Sequence, residues 1–123
     1  MSMCELVNLR IGKGSIKVAS IKKDYIQNII QSIPICDAIE KVILFGSSLN
    51  ESCTDFSDVD IAIFGSQSKS QMYRLKSYHD FIDSVVSFGE PQDYDMLYFD
   101  STKEYKDSIM KDISKGSVIY ERK

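Results

Sequence analysis

Hydrophobic and polar positions fall into blocks of strand-like and helix-like period along this chain. Residues 1–19 hold two short alternating stretches, LVNLRI and SIKVA, parted by Gly12, Lys13 and Gly14, which predicts an N-terminal arm or hairpin. From residue 20 to about 32 the pattern is helical: Ile21, Tyr25, Ile26, Ile29, Ile30 and Ile33 recur at three- and four-residue steps, and Pro34 marks the stop. Residues 41–45 (KVILF) are a continuous apolar run closed by Gly46, the mark of a strand buried on both faces. Residues 57–64 alternate, with Val59, Ile61 and Ile63 on one face and Asp58 and Asp60 on the other. A helix is expected over 68–87, with Met72, Leu75, Ile82, Val85 and Val86 as its apolar stripe, and a strand over 93–99. A helix over 102–114 then carries Tyr105, Ile109 and Ile113, Gly116 caps it, and residues 117–121 (SVIYE) form a last strand. This order predicts an α/β (α+β) fold, a small mixed sheet flanked by helices, with residues 20–123 as one domain.

Length changes this picture little, because 123 residues suit a single core. A net charge of −3 offers no basic footprint, which argues against a nucleic-acid partner and for a small-molecule or protein partner. Cys4, Cys36 and Cys53 stand at scattered spacings that make neither a zinc pair nor a redox motif, so they read as free thiols of a reducing cytoplasm. The N-terminal segment has no apolar core for a signal peptide, and no run approaches the ~20 apolar residues of a membrane span.

Three features carry candidate chemistry. Gly46, Ser47 and Ser48 follow the buried strand, where glycine lets backbone amides approach a phosphate and serine hydroxyls add donors. By itself such a segment is also what a plain turn looks like. Asp58 and Asp60 sit two apart, and side chains so spaced on a strand point the same way at roughly 7 Å. Hard carboxylate oxygens in that arrangement suit magnesium, although a solvated strand face would carry the same residues. Asp95 lies in the following strand, where it can pair beside Asp58 and Asp60; Asp93 shares its face and is the rival.

Taken together, a Gly-Ser loop, ten intervening residues, an Asp-x-Asp and a later strand aspartate resemble the nucleotidyltransferase superfamily that includes DNA polymerase β. The residues that carry the resemblance are VILFGSSLNESCTDFSDVDIAIF and then YDMLYF. The ending KDISKGSVIYE makes the chain more similar still to the minimal nucleotidyltransferases of prokaryotes, across about residues 20–121. The resemblance implies a polymerase β-like fold and Mg2+-dependent transfer of a nucleoside monophosphate, AMP from ATP, to a hydroxyl. It also implies that Asp58, Asp60 and Asp95 hold two metal ions, with Asp95 as an alternative acceptor of the hydroxyl proton. Gly46, Ser47 and Ser48 would bind the triphosphate. One departure stands out: many minimal members carry arginine directly after the Gly-Ser, and Ser48 here removes that phosphate-neutralising cation.

Larger relatives hold the acceptor on an extra domain for which this length leaves no room, so an acceptor on another protein is expected. Minimal members often act as antitoxins paired with a helical HEPN toxin, some modifying a tyrosine of that toxin. Two other readings compete: a non-catalytic module that binds nucleotide and masks a partner, and an antibiotic-type transferase whose small-molecule pocket is built by a homodimer. His79 reads as an ordinary surface or boundary residue, and Lys69, Arg74 and Lys76 could reach a triphosphate, although a solvated basic face explains them equally well.

Overall fold

The computed structural model describes residues 4–122; the rest of the N-terminal arm and Lys123 lie outside the described residues. Strands β1 (Leu6–Ile11) and β2 (Gly14–Ala19) pair antiparallel as a hairpin. Gly12 takes φ +55 in its turn, a left-handed conformation that glycine adopts without a Cβ penalty. A 3-10 turn, Ser20–Lys22, leads into helix α1 (Lys23–Ser32), which gives way to a second 3-10 turn containing Pro34.

The central sheet has four strands in the order β5-β4-β3-β6. Strand β3 (Lys41–Phe45) lies antiparallel to both β4 (Val59–Gly65) and β6 (Ser117–Glu121), whereas β5 (Tyr94–Asp100) runs parallel to β4. A parallel pair needs a long crossover, supplied here by helices α2 (Lys69–Arg74) and α3 (Lys76–Val86). Helix α4 (Ile109–Ser114) links β5 to β6. This is the mixed sheet flanked by helices that the sequence predicts.

The alternation in β4 explains its place at the centre. Val59, Ile61 and Ile63, all 0% exposed, join Ile26, Ile29 and Phe81 in the main core beneath α1 and α3. Each such aliphatic side chain contributes about 1.5–3 kcal/mol when fully buried. Ala62 on the other face meets Phe45, Phe99 and Ile113 in a smaller cluster under α4. Leu9 and Val18 bring the hairpin into the main core.

Two elements differ from the sequence pattern. The expected 68–87 helix is broken at Leu75, whose ψ of 126° is extended. Ser68 and Gln71 form a capping box at the start of α2, and His79 Nε2 donates to the Tyr73 carbonyl across the break at 2.6 Å. The break changes the helix phase, so Tyr78 and Phe81 fill the core while Val86 is 47% exposed. The expected 102–114 helix begins only at Ile109. Buried Asp100 accepts from the Thr102 backbone N–H at 3.0 Å and from its hydroxyl at 2.7 Å. Such a local side-chain turn competes with helix formation.

Candidate active site

The register of the sheet places the site. Phe45 pairs with Asp60, and Asp60 pairs with Asp95, so one row of residues crosses three strands. Asp60 is half-buried and Asp95 exposed. Asp58 stands one residue before β4 rather than within it, exposed at the same end. Asp93 also precedes its strand; its carbonyl accepts from the Val59 N–H at 3.0 Å and ties the two strand starts together.

Gly46 follows Phe45 with φ +78, and a Cβ there would overlap the Asp60 carboxylate. Both facts demand glycine: the first for conformation, the second for space. Gly46 opens a 3-10 turn, Gly46–Leu49. The turn is closed by the Asn50 N–H donating to the Ser47 carbonyl at 3.1 Å. Ser47 is half-buried on this turn, whereas Ser48 is 0% exposed and its hydroxyl has no hydrogen-bond partner. The Ser48 side chain therefore points into the fold and is not placed to meet a phosphate in the cleft.

Gly46, Asn50, Asp60 and Asp95 line an open cleft of about 400 Å3, and Asp112 and Lys115 close its other side. The last two follow from topology. Ser117 pairs with Leu44 at the end of β3, so the chain leaving α4 must pass the same end of the sheet. Sequence reasoning missed Asn50, Asp112 and Lys115, because no local motif marks them; Asn50 comes in at the end of the Gly46 turn, and the β3–β6 pairing brings in the other two. Lys69, Arg74 and Lys76 do not line the cleft, and Lys76 pairs with Asp80 at 2.8 Å. A second hollow of about 410 Å3 lies at the far end of the strands, where Lys41, Phe64 and Glu121 meet. It holds none of the three candidate aspartates.

Electrostatics single out Asp60. Burial, then the charges of Asp95 and Asp58, push its carboxyl up to about 6. The three carboxylates thus share one field, and a bound cation would relieve it. Among the described residues no three His, Cys, Asp or Glu side chains converge closely enough to hold a metal ion by themselves. An open site still fits a magnesium ion, which takes one or two carboxylates and fills its remaining positions with water and substrate phosphate. Asp60 and Asp95, which line the cleft, are the carboxylates whose hard oxygens would suit such an ion, with Asp58 outside the lining, and the glycine at 46 leaves space beside Asp60.

A comparison with curated proteins returns no match. The sequence profile of the family described as polymerase beta, nucleotidyltransferase, matches residues 26–123, which take in the whole central sheet, the Gly-Ser turn and all three aspartates. The chain belongs to the polymerase beta nucleotidyltransferase family.

Proposed function

We propose that this protein is a magnesium-dependent transferase that moves AMP from ATP to a hydroxyl on a partner protein. The observation that carries the reading is the row Phe45–Asp60–Asp95, with Asp58 beside it and the Gly46 turn above it. Asp58 and Asp60 would hold magnesium with the triphosphate, and Asp95 would complete a second metal position. Magnesium so held supplies charge neutralisation and orientation of the α-phosphate. Gly46 and Ser47 would present the turn to the β- and γ-phosphates. The acceptor oxygen would form its bond to the α-phosphorus as pyrophosphate leaves, and Asp95 is the alternative base for the hydroxyl proton.

Lys115 supplies the cation that Ser48 does not. It lies in the cleft with no carboxylate partner among the described residues, and we assign it to the triphosphate. A protein acceptor is supported by Phe56, which stands 95% exposed two residues before Asp58 in the chain and offers a bare aromatic ring to a partner. A HEPN-type toxin tyrosine is the acceptor that the resemblance to minimal nucleotidyltransferases suggests. The free thiols Cys4, Cys36 and Cys53 suit a cytoplasmic setting. Among the described residues, no helix is long and apolar enough to cross a membrane.

Calorimetric titration with each of the four NTPs in magnesium tests the substrate, with ATP expected to bind tightest. Replacing Lys115 by Gln should weaken ATP binding about tenfold, a loss typical of one charge-assisted phosphate contact, and Lys115→Arg should restore most of it. Equal binding of all four nucleotides, or unchanged affinity in Lys115→Gln, contradicts these assignments.

A further inference from the structure

Lys22 is 2% exposed, yet it is a lysine. It sits where the hairpin joins α1, and its Nζ donates to Gln92 Oε1 at 2.6 Å and to the Asp55 carbonyl at 3.3 Å. Both partners are neutral, and Lys22 makes no ion pair among the described residues. Burying an ammonium in this way is costly compared with an apolar residue of similar size, so its hydrogen bonds invite a specific reason.

Gln92 supplies one. Its Nε2 donates to the Ser57 carbonyl at 2.9 Å and to the Asp93 carbonyl at 2.7 Å. An ammonium can only donate and a carbonyl can only accept, so these partners fix the orientation of the amide without ambiguity. One side chain thus joins the residue before Asp58 to the segment before Asp95. The Val59 N–H to Asp93 carbonyl bond lies directly beside this link. Lys22 anchors the assembly to the hairpin–helix junction on one side and to the 54–57 turn on the other.

Given the transferase reading, on which it rests, we propose that Lys22 and Gln92 are positioning residues that set the spacing of Asp58 and Asp60 against Asp95. They touch neither substrate nor metal. Lys22 works through geometry, by holding the Gln92 amide and the Asp55 carbonyl in place. Misplacement of reacting groups by about 1 Å costs on the order of a hundredfold in rate, which is why a buried link is worth keeping at this point in the fold.

Two variants test the link. Gln92→Glu keeps an acceptor for Lys22, now an ion pair, but loses both donors to Ser57 and Asp93. Lys22→Met removes the anchor and keeps the volume. Both should lower kcat by about 10- to 100-fold with KM for ATP changed less than about twofold. Amide hydrogen exchange at Val59 should quicken about tenfold or more, while exchange in β3 and β6 stays as in the native protein. Gln92→Glu should remain folded, so the idea survives a Lys22→Met chain that does not fold. Native kcat in Gln92→Glu overturns the positioning role even if exchange changes. If the native protein transfers nothing, the transferase reading fails by itself and exchange decides the link: quickening confined to the two strand starts supports it, and unaltered exchange at Val59 overturns it.

Discussion

At the scale of single residues, Asp60 and Gly46 act as one unit, since the glycine leaves room for a carboxylate that is uncomfortable without a cation. The Asp60 carboxyl titrates near 6 when folded, above its ordinary value of 3.8. Between those values the folded chain holds more protons than the unfolded one, so stability falls as pH rises from about 4 to 6 and then levels off. Solvent screening around a half-exposed group keeps the effect to about 1 kcal/mol. In chelator, thermal unfolding across that range should show the decline in the native protein and a flatter profile in Asp60→Asn. On the proposed function the same substitution should lower transfer by at least about a thousandfold, because it would remove a metal-ligating charge at the reacting phosphate. Gly46→Ala should destabilise the fold by about 1–3 kcal/mol through its positive φ, and more through the clash with Asp60. Denaturant titration measures that cost, and native-like stability there would contradict the described turn.

At the scale of elements, the cap on α2 offers a control remote from the cleft. Ser68→Ala removes the bond to the Gln71 N–H, 3.2 Å in the native protein, and should cost about 1 kcal/mol with transfer unchanged. A loss of transfer in that variant would mean that the crossover helices, not the sheet ends, govern the site. The strands were legible in the sequence because two-residue alternation does not fit a helix and the KVILF run is too short for one. The helices were read less well. Nothing local announces that Leu75 leaves the helix, since its apolar spacing fits a continuous one and the break follows from tertiary packing of Tyr78 and Phe81. The late start of α4 has a visible cause in Asp100 and Thr102, a pair two residues apart able to form a side-chain turn. The aspartates were legible from their spacing. Lys115 and the Lys22–Gln92 link were not, because each depends on contacts between segments far apart in the chain, and Asn50 was not because no motif marks the end of the Gly46 turn.

For the whole molecule, β4 binds the two clusters together: Ile61 on one face belongs to the main core, and Ala62 on the other to the cluster under α4. Ile61→Ala should therefore cost about 2–5 kcal/mol in a single cooperative transition seen by denaturant titration. A small or local loss would contradict a shared core. The family assignment covers the sheet and its turn, and the chemistry proposed for it depends on carboxylates at one end of that sheet. The most direct measurement is calorimetric titration of ATP, with and without magnesium, into the native chain and into an Asp58→Asn/Asp60→Asn double variant. The account predicts binding by the native chain that requires magnesium and disappears in the double variant. No binding at millimolar ATP, or equal binding by both chains, would contradict it.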